Sequence, residues 1–485
     1  MKDQILRLSK DTLIYGVGNV AQRFLAIFLA PIFTRIFSPA DYGILDVITT
    51  AVALLQLFLI LGLDAASSYY YFHTEGEKEK RQVLSTALTF LAGFALLVAV
   101  VAVFAASSIS LFFFGTQNYS NHITIALFSV PFVVITAFLI DVLRLRFQAK
   151  KYVVMATTRV LLTAALSIYL IAFLHFGVIG AFWANLVTGL VTTLLGFYLV
   201  RDVFELSFSV PFLKKLLRYG LPLVPAALFY WVFTLSDRFL LTKLVSLNEV
   251  GVYTIGAKLA AVMAMLVGAF QLAWGPFALS VAKRKEAKEI YANVLTVYLA
   301  VAFFFSILVA SFAKEILIIF TTAPYFEASK VVGLLSIGAV FYGAYYIVAI
   351  GVNLAKKTEH LAWTTGLAAL VSIGLNLLII PRFGMLGAAF VNSLAFLTSA
   401  LAIFFVSQKY YPINFQYQKV LIILFFGVCL TLIGSFLSTG EVSLEVIFLK
   451  ALVVFSFPVL LFSTRTFTTS GLRSFASQFP IINKL

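Results

Sequence analysis

A chain of 485 residues with 62% hydrophobic and only 11% charged side chains does not have the composition of a soluble domain, which carries about 25% charged residues. Most of its side chains must therefore face lipid, in keeping with a mean hydropathy of +1.04. The net charge of +15 does not indicate a nucleic-acid partner, because Lys and Arg concentrate in the cytoplasmic loops of membrane proteins.

In chain order, apolar stretches long enough to cross a bilayer predict about fourteen membrane helices. The first follows a basic N-terminus, but it is too long for a signal peptide and no small-residue cleavage site follows it, so we expect it to be retained. The seventh contains Gly220, Pro222 and Pro225 and is expected to be kinked or partly unwound at its start. The approximate limits are 12–34, 44–63, 83–106, 122–142, 153–174, 178–200, 216–236, 250–272, 291–312, 330–352, 360–380, 385–406, 418–438 and 444–464.

The distribution of Lys and Arg orients these helices. With the N-terminus inside, the inner segments hold 25 of the 35 Lys and Arg residues, and the outer segments hold seven, Arg238 and Lys450 among them. This asymmetry predicts a multi-pass protein of the cytoplasmic (inner) membrane with both termini cytoplasmic. The outer loops are short, which leaves no room for the catalytic domain of a membrane glycan polymerase or glycosyltransferase.

The two halves of the chain share short motifs at offsets of 204 to 208 residues, which indicates an internal repeat. The matches are AKK at 149–151 and 355–357, FGxxGA at 176–181 and 383–388, YG at 15–16 and 219–220, and Gly43 with Gly251. The alternative is that FGxxGA is only a common turn between membrane helices. An offset of six helices, an even number, gives a parallel repeat. We therefore predict an N-lobe at 1–200, a C-lobe at 201–410, and two further helices with a cytoplasmic tail at 411–485.

Several motifs, in order along the chain, resemble the polysaccharide transporter (Wzx-type flippase) family of the MOP (MATE-like) exporter superfamily. They are RIFSPADYG at 35–43, GLP at 220–222, SDR at 236–238, GVY at 251–253 with Lys258, WGPF at 274–277 and PRFGMLGA at 381–388.

The resemblance implies an all-α, two-lobed bundle that exports undecaprenyl-pyrophosphate-linked oligosaccharide units, for O-antigen, capsule or exopolysaccharide, by alternating access. A glycan polymerase would be a candidate partner. It also implies that helices 13 and 14 form a groove for the lipid tail.

Cations inside predicted spans are costly and usually face a cavity. Arg23 lies at the middle of the first span, with Asn19 on the same helical face and Gln22 adjacent. We interpret these residues as part of a substrate cavity in which Arg grips phosphate oxygens. The alternative for Arg23 is a structural ion pair with Asp46 or another acid.

The other predicted cavity residues are Lys258, Arg159 and Gln56. Gln56 is the main polar group at the centre of the second span. For Lys258 and Arg159, a side chain that reaches back to the membrane interface is an almost equal alternative. A cavity rich in cations and poor in acids suits an anionic, pyrophosphate-linked substrate.

The chain contains no P-loop motif, so ion coupling, to H+ or Na+, or the membrane potential must drive transport. Asp46, Asp64 and Asp141 are the candidate coupling residues, although acids at helix ends more often cap or pair. The four histidines are far apart and predict no metal site, and no cofactor is expected.

Other functions stay open at this stage. A drug/cation antiporter of the same fold would need acids deep in its cavity, where this sequence has Arg and Lys. A lipid II flippase differs only in its substrate. A membrane glycan polymerase is disfavoured by the short loops, so we predict a transporter and not an enzyme.

Labelling of single cysteines will test the orientation, in a background where the native Cys429 is replaced by Ser. Cysteines at Gly115, Thr322 or Gly440 should react with an impermeant thiol reagent added to intact cells. Cysteines at Gly76, Ala287 or Thr358 should react only after the membrane is opened. Reaction of the second set in intact cells would overturn the predicted orientation.

Overall fold

The computed structural model describes residues 29–205 and 207–467, and within these ranges the chain is helical and contains no β-strand. Twelve of the described helices are long and apolar enough to cross a membrane. These twelve helices cover thirteen predicted spans, the second to the fourteenth. Glu359–Tyr410 accounts for the difference, because it contains two spans that are separated by a break at Gly384. The first predicted span lies almost entirely outside the described residues. The prediction of an all-α membrane protein is confirmed.

The helices are numbered here in chain order. Short 3-10 turns at Leu221–Leu223 and Ala323–Ala328 and a π-helical turn at Tyr169–Phe173 connect or extend them. The α-helices are α1 (Pro39–Ile60), α2 (Leu63–His73), α3 (Glu77–Phe104), α4 (Ala106–Phe114), α5 (Ser120–Leu145), α6 (Ala149–Ile168), α7 (Val178–Leu199), α8 (Val210–Gly220), α9 (Val224–Leu244), α10 (Leu247–Val281), α11 (Ala287–Ser311), α12 (Ala313–Phe320), α13 (Ser329–Val348), α14 (Ile350–Leu354), α15 (Glu359–Tyr410), α16 (Tyr417–Leu437) and α17 (Leu444–Ser463).

The helix of the second predicted span has a well-capped N-terminus and ends in a break of the helical backbone. Ser38 and Asp41 form a capping box at the start of α1, with Pro39 at the first helical position. At the other end, Leu61 (φ 50°) and Gly62 (φ 68°) are both left-handed. The chain then resumes a helical course as α2, so this span is two helices with a break between them.

The seventh predicted span is also interrupted. Gly220 ends α8, and a 3-10 turn containing Pro222 leads into α9. Proline cannot donate the backbone hydrogen bond that a regular helix would need there. The expectation of an irregular start is confirmed. The preceding α8 is amphipathic, with Leu216 buried and Lys214, Lys215 and Arg218 exposed on its other side.

The chain forms two compact units, the first within Met1–Trp231 with Ser246–Gly251, the second within Val232–Val245 with Val252–Leu485. In the first unit, apolar residues of α2, α3, α5 and α6 form the core, and Leu216 of α8 joins them. In the second, the core comes from α10, α11, α13, α15, α16 and α17. The division into three segments predicted from the repeat stays a prediction.

The repeated FGxxGA motif has one backbone conformation at both of its positions. Gly177 has φ 63° and ψ −148°, and Gly384 has φ 53° and ψ −134°. This mirror-image extended region is open to glycine and costly for residues with a Cβ atom. The motif therefore makes the same tight turn between two membrane helices in each half of the chain.

A second pair of repeat positions meets directly, within the first unit. A Cβ atom on Gly43 would lie 2.2 Å from the carbonyl oxygen of Leu247, and one on Gly251 would lie 1.8 Å from that of Pro39. The offset of 208 residues that pairs Gly43 with Gly251 also pairs Pro39 with Leu247. Here the first turns of α1 and α10 cross backbone to backbone.

Replacing Gly251 with Ala tests this crossing. The added methyl group cannot be accommodated unless α1 and α10 separate, so we expect a lower yield of monodisperse protein and a lower unfolding temperature in detergent. The matched control is Gly93→Ala in α3, where a Cβ atom would meet nothing within 4 Å and where Ala favours a helix by about 1 kcal/mol over Gly. Equal stability of the two variants would contradict the crossing.

Candidate substrate site

The breaks in the second and seventh predicted spans face each other. A Cβ atom on Gly62 would lie 2.5 Å from the carbonyl oxygen of Gly220, and one on Gly220 would lie 2.4 Å from that of Leu61. Only glycine at both positions allows the two backbones to approach this closely. In transporters, discontinuous membrane helices of this type typically form the binding site.

A cavity of about 380 Å³ opens beside this contact, within the first unit. Its volume falls in the range of about 300–1,000 Å³ typical of ligand pockets. Two of its lining side chains are strongly polar, Gln56 and Asp64. The described residues of the lining are Ala53, Gln56, Leu57, Ile60, Gly62, Asp64, Ala65, Leu223, Val224 and Ala227. The structure thus brings together one predicted substrate residue and one predicted coupling residue.

Asp141, a second predicted coupling residue, is a neighbour of this cavity. The Asp141 carboxylate forms an ion pair with Arg144 Nη2 at 2.8 Å. Asp141 also lies close enough to Asp64 for the two carboxylates to repel each other. Asp46 is fourteen residues before the end of α1, about 21 Å along the helix axis, and does not line the cavity. The three predicted acids therefore do not form one group.

The predicted cationic residues are distributed differently. Arg159 is half-buried in α6, and among the described residues no carboxylate lies within ion-pair distance of its guanidinium group. Lys258 is half-buried in α10 and belongs to the second unit. Arg23, Asn19 and Gln22 lie outside the described residues. The cationic grip on pyrophosphate therefore stays a prediction.

One buried polar network was not predicted as a unit. Asp237, only 3% exposed, accepts hydrogen bonds from the Tyr253 hydroxyl, from the Arg238 backbone N–H at 2.9 Å and from Arg238 Nη1 at 2.7 Å. The Arg238 guanidinium also lies over the Tyr253 ring. The signal was present in the motifs SDR and GVY, whose residues meet here between α9 and α10.

A second buried pair corrects the sequence interpretation of Lys450. The predicted orientation places Lys450 in an outer segment, but the residue lies inside α17 and has no exposed surface. Its Nζ is 2.5 Å from Glu315 Oε1 of α12. Beside it, Lys314 Nζ donates to the carbonyl oxygens of Thr439 and Gly440. These contacts hold the connection between α16 and α17 against α12.

The second unit also contains an apolar groove. A cavity of about 590 Å³ lies between α10 and α11, and a cavity of about 240 Å³ between α11 and α17 shares Val297 and Val301 with it. Aromatic and aliphatic side chains together form the walls. The polar atoms of Trp274 and Tyr298 are engaged with backbone carbonyl oxygens, so the surface offered to a ligand is hydrocarbon. Of the two helices predicted to form a tail groove, α17 contributes to it.

The Asp237 network predicts a graded loss of stability. Asp237→Ala removes the carboxylate from a buried ion pair and should cost about 3–5 kcal/mol, whereas Tyr253→Phe removes one hydrogen bond and should cost about 1–3 kcal/mol. The control is Asp202→Ala, which breaks a more exposed pair with Arg146 worth about 1 kcal/mol or less. The free energy of unfolding of the three variants is measured in mixed micelles. Equal losses of stability in all three would contradict the network.

Comparison with known proteins agrees with this fold. The family described as polysaccharide biosynthesis protein matches residues 8–278. A protein of Haemophilus influenzae, Lsg locus putative protein 1, is 24% identical over 293 residues, which are 58% of this chain and 68% of that protein.

Two solved structures show the same fold at low identity. The lipid II flippase MurJ in an inward closed conformation has a TM-score of 0.73 at 16% identity, over 93% of this chain and 99% of that one. An inward-facing multidrug resistance MATE transporter of the MOP superfamily has a TM-score of 0.68 at 16% identity, over 80% of this chain and 94% of that one. The fold class inferred from the sequence is confirmed, and because the family match spans more than half of its length, the chain belongs to the polysaccharide biosynthesis protein family.

Proposed function

We propose that this protein flips an undecaprenyl-pyrophosphate-linked oligosaccharide across the cytoplasmic membrane by alternating access. The observation that carries the proposal is the groove between α10, α11 and α17, which offers hydrocarbon walls to a long apolar chain. A soluble drug does not require such a groove, whereas a polyprenyl lipid does. The family supports a polysaccharide precursor as the cargo, and O-antigen, capsule and exopolysaccharide units are the candidates.

The pyrophosphate is assigned to the cationic residues. Arg23, with Asn19 and Gln22 beside it, is the central residue of this assignment, and Arg159 and Lys258 are the supporting ones. Arg159 is suited to this role because its half-buried guanidinium has no carboxylate partner among the described residues. A buried cation in a membrane protein is stabilised by water, an acid or an anionic ligand, and a lipid pyrophosphate is such a ligand.

Ion coupling, to H+ or Na+, or the membrane potential is the proposed driving force. Asp141 is the favoured coupling residue of the described part of the chain, since it combines an ion pair with Arg144 and a repulsive neighbour in Asp64. Asp46 stays a second candidate.

The alternatives have less support. A lipid II flippase has the same fold and is separated from the proposed function by substrate alone. A drug/cation antiporter also shares the fold, and Asp64 in its cavity is the one observation in its favour.

Exchange of Arg23 tests the proposal. Arg23→Ala should lower flipping in proteoliposomes by about tenfold or more, since hydrogen bonds to charged groups contribute about 1.5–3 kcal/mol, while the protein still folds. Arg23→Lys should recover only part of the activity, because a point charge replaces a two-pronged donor. Lys285→Ala, in an exposed loop, is the matched control and should flip normally.

The contrary results are distinct. If Arg23→Ala prevents folding and a charge exchange with Asp46 restores it, the residue forms a structural ion pair. If Arg23→Ala flips normally, the cationic grip is wrong. Expression of the wild-type chain in strains that lack a known lipid-linked-sugar flippase, with the restored glycan as the readout, identifies the class of cargo.

A further inference from the structure

We propose that the cavity beside the Gly62–Gly220 contact binds a sugar residue of the glycan, with Asp64 and Gln56 as its hydrogen-bonding side chains. This inference rests on the proposed function and deepens it. It assigns the sugar and the pyrophosphate to different residues, and it gives Asp64 a role in recognition in place of ion coupling.

Electrostatics argue against pyrophosphate in this cavity. Among the described residues that line it, Asp64 carries a charge and none is Lys or Arg. Asp141, whose carboxylate is close enough to Asp64 for repulsion, is paired with Arg144 at 2.8 Å. A pyrophosphate would therefore meet an unbalanced carboxylate at close range, whereas an uncharged, hydroxyl-rich ring would not.

The hydrogen-bonding capacity of the cavity matches such a ring. The Gln56 amide offers two donors and an acceptor, and the Asp64 carboxylate offers acceptors only. Sugar hydroxyls both donate and accept, so they can satisfy the two side chains together. The other side chains that the structure describes in the lining are apolar and suit the C–H faces of a sugar ring.

Two aromatic residues are close in sequence to the residues that form the cavity. Tyr69 lies one turn beyond Ala65 and shares its face of α2, and Tyr219 directly precedes Gly220 of the backbone contact. Their rings stack at 4.7 Å, and both stay partly exposed, by 40% and 38%. Rings that combine an apolar body with a hydroxyl group suit a ligand that is part apolar and part polar.

The composition of the cavity disfavours an inorganic cation. Within residues 29–205 and 207–467, no three His, Cys, Asp or Glu side chains are grouped so as to hold a metal ion. A hard cation takes about six or more oxygen ligands, and a cavity of about 380 Å³ walled mainly by aliphatic side chains does not supply them. An organic cation is a different occupant, which the experiment separates.

The experiment measures the affinity of the full chain in nanodiscs for defined lipids. The probes are undecaprenyl pyrophosphate and the same lipid carrying glucose, galactose or N-acetylglucosamine. The wild type should bind at least one glycosylated lipid about tenfold more tightly than the bare lipid, as expected for hydrogen bonds to a charged group. Asp64→Asn and Gln56→Ala should lose most of this preference while they bind the bare lipid normally.

Three variants complete the test. Asp202→Asn changes an acid outside the cavity and should keep the full preference. Tyr219→Ala should weaken the preference and Tyr219→Phe should retain more of it, because the ring is kept. Asp64→Asn conserves shape, so its normal binding of bare lipid shows that it is folded.

The other outcomes of the binding experiment distinguish failure of the sugar site from failure of the proposed function. Failure of the wild type to bind any of these lipids overturns the proposed function itself. Binding of bare and glycosylated lipids with equal affinity, or a preference that survives Asp64→Asn and Gln56→Ala, overturns the sugar site and leaves the flippase proposal standing. Binding of tetraphenylphosphonium that depends on Asp64, without a sugar preference, identifies an organic-cation site instead.

Discussion

Backbone polar groups freed inside a bilayer must find a partner or line a cavity, and the architecture of the first unit follows from this constraint. The breaks after Ile60 and after Gly220 free such groups at two places in the chain. Glycine at positions 62 and 220 lets the two irregular segments meet backbone to backbone. The cavity with Gln56 and Asp64 lies beside this contact, so the site exists because two helices are interrupted.

Charged side chains in the described part of the chain follow a similar rule. Those that are deeply buried are paired, as in Asp237 with Arg238 and Lys450 with Glu315, because an unpaired charge in an apolar interior is very costly. The pair of Lys450 with Glu315 connects α17 to α12, and Asp237 is connected to α10 by the hydrogen bond that it accepts from Tyr253. Half-buried Arg159 differs from these residues, because it has no carboxylate partner in the described part of the chain.

The two cavities have complementary chemistry, which favours an amphipathic cargo. The cavity of the first unit has a carboxylate, an amide and nearby phenol rings, whereas the groove of the second unit offers hydrocarbon and aromatic walls. A polyprenyl-linked oligosaccharide contains a long apolar chain, a charged pyrophosphate and neutral sugars. The proposed assignment of each part to a different set of residues rests on electrostatics, since a carboxylate repels pyrophosphate but can accept hydrogen bonds from an uncharged sugar.

The amino-acid sequence by itself determined that the chain is a membrane protein and where its helical spans lie. It also determined the turns at Gly177 and Gly384 and the irregular start of the seventh span at Pro222. These features depend on local chemistry: hydropathy, proline geometry and the conformational freedom of glycine. The tertiary structure decided which polar residues meet. Gln56 and Asp64 are eight residues apart on opposite sides of a break, and Asp237 and Tyr253 lie on different helices. Neither arrangement follows from a local pattern, because the first depends on the contact of the break at Gly62 with Gly220 and the second on the contact between α9 and α10.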